Sequence, residues 1–533
     1  MLLVKKVEVK DRMENGIKSR ERKERCKRAG ICLGISLIFL AVCSKSSFLY
    51  PMNDWEDANI FFTVGKSIVH GKVLYRDVFD HKGPLLYFLH SLAYLISRDS
   101  FLGVYVIEVL AFTAYLLAVY QTLRLYVKKN ILLVLPLLTA AILSSKSFCH
   151  GDSAEELILP LAAWSLYASL RYFKNRYPEE MDYRELFVHG ILAGCIMLIK
   201  FTLLGFHFAW MLMILLSCLF RGKIRRGVVS GLVFVGGMAV TTIPFLFYFW
   251  INGALDSWFT VYFYNNVFVY SNLEKQSLAG QIKGILKMLE EAFLYNWKYS
   301  VFTILGVLWL TLKKGVAGIW EKWNLWMLCI CTALGISWGI VYMHPYYPLI
   351  LSVFACLGWI PVLRWLEDQG EKAEASFYRG QRTFGKKKLV FAAVTVLSLL
   401  FAWKTGNYTD EIGRKKEDVV QYQFREIIRE TENPSLLNFG FMDGGFYTVC
   451  DILPPCKYFC KTNMPGGEWI DVQLTLIGYG MVDYIVTMDY PLSEEYTKYE
   501  LAATGENYHE RQVHTYYLYR KAETGGKQHG KNR

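Results

Sequence analysis

The sequence has little charge for its length, since only 20% of its 533 residues are charged and 53% are apolar. A soluble protein of this size would divide into several domains and carry more charge. The sequence also has no repeat of 20–50 residues, no low-complexity tract and no Gly-rich dinucleotide or P-loop motif. The composition excludes a soluble enzyme, a disordered chain and a small disulfide scaffold.

The apolar residues are concentrated in about eleven runs. A helix of roughly 16 to 25 residues crosses a hydrocarbon layer of about 30 Å, whereas an outer-membrane barrel would show short alternating segments. The sequence therefore predicts a mainly α, polytopic membrane protein. The runs lie near residues 30–50, 101–126, 130–148, 156–173, 187–203, 204–220, 227–251, 297–312, 323–343, 346–365 and 388–404.

The distribution of positive charge predicts the orientation of these spans. The net charge is +12, and residues 1–28 hold eleven Lys or Arg directly before the first run, which the positive-inside rule assigns to the cytoplasm. Nucleic acid is not an expected partner, because no base-reading motif accompanies the charge. Every later turn predicted to be cytoplasmic is also basic. An odd number of spans then places the C-terminal part outside, in a multi-pass protein of the plasma membrane.

The chain is predicted to have three parts: a basic cytoplasmic N-terminus (1–28), a transmembrane part (29–404) with a first outer loop at 51–100, and an extracytoplasmic domain (405–533). The last part contains turn signals such as Asp443-Gly-Gly445 and short β-rich runs, which predict a small α/β or α+β domain. It also contains Cys450, Cys456 and Cys460, so one disulfide with one free thiol is compatible with an outer location.

The first outer loop opens with a predicted amphipathic helix lying along the membrane surface. Its apolar residues fall at helical spacing, and Gly71 is a suitable terminator. Asp54 and Asp57 stand at its start. Such a pair is typical of a helix cap, but carboxylates at this position are also candidate catalytic groups.

The second half of the loop contains a cluster of charged and ionisable residues, Arg76, Asp80, His81 and Lys82. The cluster stands just before a Gly-Pro pair and an aromatic stretch. Cations beside carboxylates at the outer lipid boundary suit a lipid-linked phosphate next to a general base. A solvated charged turn is the structural alternative.

These two segments resemble the first loop of bacterial polytopic glycosyltransferases of the GT-C superfamily, the relatives of protein O-mannosyltransferases and of the lipid A aminoarabinose transferase. In that family an acidic start precedes a surface helix ending in Gly, and a Lys-Pro-Pro or Lys-Gly-Pro motif closes the loop. Here the helix runs from Asp57 to Gly71, and the closing motif is Lys82-Gly-Pro84. The order of spans matches over most of the chain, whereas the motifs occupy about 35 residues.

The resemblance implies that Asp57 is the catalytic base, by its spacing to Gly71. The family's Asp-Glu pair is Asp57-Ala58 in this chain, with Glu56 before it, so Asp54 is a rival for the role. Lys82 matches the Lys of the closing motif. His81 replaces an acidic residue of the aminoarabinose enzyme, which leaves open whether a divalent metal is used.

Further candidates lie at other predicted outer turns. Glu155 and Glu156 precede the fourth span, where the family keeps an acidic residue facing the cavity, although Ser153 and Glu156 also form a capping-box pattern. Lys200 lies in an apolar run, where a charge is costly unless it faces a cavity or snorkels to the boundary. His344 and Tyr346 resemble a His-Tyr-Tyr segment of these transferases, or belong to an interfacial aromatic belt.

The resulting hypothesis is inverting transfer of a sugar from a polyprenyl-phosphate donor to a glycan, lipid or protein hydroxyl on the outer face. A flippase or transporter of lipid-linked glycans is an alternative, but it would place ionisable residues along mid-membrane helices. A polymerase or ligase of surface polysaccharide is another, but its key residues would lie in a large late loop.

Overall fold

The computed structural model describes residues 2–270, 277–337, 344–376, 384–509 and 512–522. These residues are mostly helical, with one small sheet. The helices before the C-terminal part are Leu2–Cys43 (α1), Glu56–Val69 (α2), Pro84–Ile96 (α3), Leu102–Arg124 (α4), Ile131–Leu143 (α5), Ala154–Asn175 (α6), Tyr183–Lys200 (α7), Gly205–Leu219 (α8), Ile224–Ile251 (α9), Leu255–Trp258 (α10), Leu278–Tyr295 (α11), Trp297–Leu312 (α12), Ile319–Ser337 (α13), Trp359–Ser376 (α14) and Phe384–Thr405 (α15).

Each of the eleven apolar runs lies on helical structure, although the end of the run at 323–343 falls outside the described residues. Within the described residues, six helical stretches are long and apolar enough to cross a membrane, and three shorter apolar helices accompany them. One long stretch, 183–219, is divided by a 3₁₀ turn at Phe201–Leu204. The chain reverses there, since the Ser165 hydroxyl contacts His189 at 3.3 Å and His207 at 2.9 Å. The boundary between the apolar runs 187–203 and 204–220 is therefore a bend.

The helix α2 is present where the sequence predicts it, but its faces meet protein instead of lipid. Nearly all of its residues are buried, from Asp57 to Ser67. Its apolar face packs on α3, and its polar face packs against the C-terminal domain through Thr63 and Lys66. Burial on both faces fixes the helix far more rigidly than contact with a lipid surface would.

The C-terminal domain is built on a four-stranded mixed sheet of order β1-β2-β4-β3. β1 pairs with β2 in parallel (Leu437 opposite Ile485), and β4 pairs antiparallel with both β2 and β3. The strands are Leu436–Asn438 (β1), Tyr484–Met488 (β2), Tyr499–His509 (β3) and Gln512–Lys521 (β4), and the helices are Val420–Ile428 (α16), Phe446–Cys450 (α17) and Glu468–Tyr479 (α18). The expectation of a small α+β domain is confirmed.

The two parts share one continuous apolar core, which runs from α1 and α4 through α2 to α17 and β2. Gly445 shows how close the domains are, because a Cβ on this residue would lie 2.4 Å from Met52 Cε. Its φ of 86° is also unfavourable for other residues. Cys450, Cys456 and Cys460 are free thiols, so the disulfide considered above does not form.

Candidate active site

Asp57 lies in the first turn of α2, where its side chain is 10% exposed. Helix α2 begins after Trp55, which makes no side-chain cap, so neither Asp54 nor Asp57 serves as the N-cap. The Asp57 carboxylate accepts a hydrogen bond from the Tyr346 hydroxyl at 2.9 Å, and Lys82 Nζ lies 4.0 Å from the same oxygen. His344 stacks on the Tyr346 ring, with ring centroids 5.4 Å apart.

The polar face of α2 is held by the C-terminal domain. Thr63 donates to Asp443 at 2.6 Å, and Lys66 Nζ donates to the Tyr447 carbonyl at 2.7 Å. Burial raises the pKa of Asp443 to about 6, against the lowering effect of the Thr63 hydrogen bond. Burial likewise lowers the pKa of Lys66 to about 8, although Asp451 opposes it. The orientation of Asp57 therefore depends on the docking of this domain.

The closing motif of the loop brings Lys82 to the end of α7. The Gly83 N–H donates to the Ile199 carbonyl at 3.0 Å, and a Cβ on Gly83 would lie 2.1 Å from the Leu198 carbonyl oxygen. Only Gly allows this approach. Pro84 then starts α3 at a position where its missing N–H costs nothing.

Lys200, at the end of α7, pairs with Glu155 at 2.5 Å, and Glu155 is fully buried. The Lys200 ammonium also lies 3.8 Å from the centre of the Tyr347 ring and 5.8 Å from that of Tyr346. The interpretation that Lys200 faces a protein cavity fits this geometry better than snorkelling does. Lys82 and Lys200 thus bring two cations to the neighbourhood of Asp57.

Asp80 and His81 form a second layer next to Lys82. Asp80 accepts from the Tyr87 hydroxyl at 2.5 Å and lies 3.2 Å from His81 Nδ1. Burial would raise the pKa of Asp80, but the His81 hydrogen bond and the Lys82 charge outweigh it and lower the pKa to about 2. Burial would lower the pKa of Lys82, but the charges of Asp57 and Asp80 raise it. The site therefore keeps Asp80 as a carboxylate and Lys82 as a cation.

Asp54 lies outside this cluster. Its carboxylate pairs with Lys45 at 2.6 Å, and Lys45 also pairs with Glu411 at 2.8 Å. This ion triad joins the end of α1, the start of the first loop and the segment after α15. The geometry favours an anchoring role for Asp54.

Arg76 and Glu156 make their contacts with groups other than Asp57. Arg76 is exposed, and its guanidinium is engaged by the adjacent Asp77 at 2.8 Å and by the Asn252 carbonyl at 2.6 Å. The Glu156 N–H is capped by the Ser153 hydroxyl, as the capping-box interpretation expected. The Glu156 carboxylate accepts from the N–H of Asp152, whose carboxylate is 3.0 Å from His90.

The cleft beside Asp57 is narrow, with a cavity volume of about 10 Å³, and the C-terminal domain forms part of its lining. Sequence reasoning missed this contribution and that of Lys45, because neither belongs to a local motif. The domain supplies Met442 and Cys460–Asn463 to the lining.

A metal site is not built from these side chains. Within the described residues, no group of three His, Cys, Asp or Glu side chains converges with suitable geometry. Asp80 and His81 supply only one adjacent pair of possible ligands.

Comparisons with known proteins agree with this architecture. Residues 81–259 match the model of the dolichyl-phosphate-mannose-protein mannosyltransferase family. ArnT from Cupriavidus metallidurans, solved bound to undecaprenyl phosphate, superposes with a TM-score of 0.59 at 10% identity, covering 95% of this chain and 99% of ArnT. The apo structure of the same ArnT superposes with a TM-score of 0.56 at 10% identity, covering 94% of this chain and 98% of ArnT. A comparison with curated protein sequences found no match.

At this identity the likeness to ArnT is one of fold. The matched family segment contains the closing motif from His81 onward and Lys200. The family match thus covers residues 81–259, and the similarity to ArnT over 95% of the chain shows that the two proteins share a fold.

Proposed function

We propose that this protein transfers a sugar from a polyprenyl-phosphate donor to an acceptor hydroxyl, with inversion at the anomeric carbon and with Asp57 as the general base. The mannosyltransferase-family match over residues 81–259 and the ArnT fold support lipid-linked glycosyl transfer in general, and ArnT was solved with undecaprenyl phosphate. The observation that carries the finer proposal is the buried Asp57 carboxylate with Lys82 4.0 Å away and Lys200 close by.

The roles follow from charge. As the acceptor oxygen attacks the anomeric carbon, its proton passes to Asp57. The bond from that carbon to the phosphate oxygen breaks, and polyprenyl phosphate leaves with the electron pair. The Lys82 and Lys200 ammoniums stabilise the developing negative charge. Tyr346 holds the Asp57 carboxylate in place through its hydroxyl.

The proposed orientation has the cleft and the C-terminal domain on the outer face of the plasma membrane, with the N-terminus in the cytoplasm. Its support is the basic character of residues 1–28 and of every turn assigned to the inner side. The close packing of the first loop on the C-terminal domain requires only that these two lie on the same side.

Asp57→Asn tests the proposal, with Asp54→Asn as the matched control at the rival position. Purified protein in lipid nanodiscs is given labelled polyprenyl-phosphate hexoses and a panel of glycoside and glycolipid acceptors, and transferred label is measured. Removing a general base costs about 10²- to 10⁴-fold in rate, so Asp57→Asn should lose transfer while Asp54→Asn retains it. Full transfer by Asp57→Asn would overturn the assignment. Movement of intact donor across the bilayer without transfer would indicate a flippase instead.

A further inference from the structure

A second cavity adjoins the active site through Tyr346, whose ring lines it and whose hydroxyl bonds Asp57. Its volume of about 510 Å³ is within the range of small-molecule sites. Neither Lys82 nor Lys200 lines it. Asp57 does not line it either, so the cavity meets the Asp57 carboxylate through the Tyr346 hydroxyl and is bounded by other residues than the two lysines.

One side of this cavity is a continuous row of rings, here called the aromatic wall: Tyr408, His150, Trp55 and Tyr346. The His150 ring stacks on Tyr408 with centroids 4.1 Å apart and on Trp55 with centroids 5.8 Å apart. The Tyr346 ring meets Trp55 edge to face at 5.1 Å. Such rings offer apolar surface with polar edges, which is the chemistry that a sugar ring, apolar on its faces and polar at its rim, requires.

The charge of the cavity lining is positive. It contains Lys146 and Lys298 but no Asp or Glu among the described lining residues. The Lys298 ammonium is fixed by the carbonyls of Ser144 at 2.5 Å and Thr405 at 2.9 Å. Lys146 is exposed, with its ammonium 4.1 Å from the centre of the Tyr295 ring. A ligand of this cavity would thus meet a cation at its rim.

We propose that this cavity is the acceptor pocket and that it takes a sugar carrying a carboxylate or phosphate group. The inference rests on the proposed function, since it assigns the hydroxyl that Asp57 deprotonates. The aromatic wall directs the acceptor sugar toward Tyr346 and Asp57, and Lys146 pairs with its anionic group. The general base, Asp57, and the cation that binds the acceptor, Lys146, are then different residues in different places. The negative charge of the acceptor is therefore neutralised by Lys146 and does not repel the Asp57 carboxylate.

Cys149 gives a binding readout that needs no turnover, because this partly buried thiol lines the cavity. The full chain is alkylated with a neutral maleimide, and mass spectrometry follows the rate at Cys149. The probes are methyl glucuronide, methyl glucoside 6-phosphate and neutral methyl glucoside. We expect an anionic probe to protect Cys149 at about tenfold lower concentration than methyl glucoside, the effect of one charge-assisted hydrogen bond.

Lys146→Gln should abolish the preference for the anionic probes, whereas Lys314→Gln, at another exposed lysine, should retain it. Equal protection by charged and neutral probes in the unmodified chain would overturn the proposal, as would a preference that survives Lys146→Gln. The order of the two anionic probes identifies the preferred group. Selective protection in a chain that transfers no sugar would instead count against the proposed function alone.

Discussion

Replacing Lys45 with Met removes the cation that a buried and a half-buried carboxylate share. Lys45 is 1% exposed, and its partners Asp54 and Glu411 have side chains that are 7% and 14% exposed. Because both carboxylates are largely removed from water, both lose their charge compensation at once. Breaking a buried ion pair from one side costs about 3–5 kcal/mol. Asp54→Asn leaves the Lys45–Glu411 pair at 2.8 Å intact and should cost only about 1–3 kcal/mol.

The expected shifts in melting temperature follow from the size of the chain. An unfolding entropy of about 2.1 cal/mol/K per residue gives about 1.1 kcal/mol/K for 533 residues. Lys45→Met should therefore lower Tm by about 3–5 °C, and Asp54→Asn by about 1–3 °C. Thermal unfolding of the purified chain in one detergent, followed by intrinsic fluorescence, measures both.

The two variants also decide the role of Asp54. If Asp54 is an anchor, the Asp54→Asn variant should have a lower Tm than the unmodified chain and should still transfer sugar. If Asp54→Asn unfolded at the temperature of the unmodified chain but lost transfer as completely as Asp57→Asn, Asp54 would be the base and the reasoning would be refuted. A Lys45→Met variant as stable as the unmodified chain would refute the triad's contribution.

Two further predictions concern Tyr346 and Asp443. Tyr346→Phe removes the hydrogen bond that holds the Asp57 carboxylate and should lower kcat/KM by about tenfold or more, the effect of losing one hydrogen bond to a charged group; an unchanged kcat/KM would show that Tyr346 does not position Asp57. Since the pKa of Asp443 is raised to about 6 from its ordinary value of 3.8, its contribution to stability is present below pH 3.8 and lost as the pH rises through 6. Asp443→Asn, whose amide can still bond Thr63 and Gly445, should therefore gain in Tm relative to the unmodified chain between pH 4 and 7; parallel Tm curves would contradict this.

The helix α2 was predictable because its signals are local. Apolar residues at helical spacing and Gly71, with a φ of 83°, define the helix and its end. Its burial could not be predicted, since the groups that cover it, Asp443 and Tyr447, are 380 or more positions away along the chain. An amphipathic pattern shows that a face is polar, but not whether water or another domain meets it.

A site residue could be predicted from the sequence where a charged side chain stood in an apolar run. Lys200 stood out as a charge in an apolar run, and its fully buried partner Glu155 explains how it is tolerated. Arg76 was expected at the phosphate, but Asp77 binds it one residue away. Lys45 lies just past the first span, and nothing in its neighbours distinguishes a buried triad from a boundary lysine.

The burial of α2 between two parts of the protein has an evolutionary consequence. Thr63 and Lys66 find their partners in the C-terminal domain, so this domain cannot be exchanged for an unrelated one without re-engineering the helix that carries Asp57. Among homologous chains, substitutions at Thr63 and Lys66 should accompany changes at Asp443 and around Tyr447, and lineages that lack the domain should carry apolar residues at both helix positions.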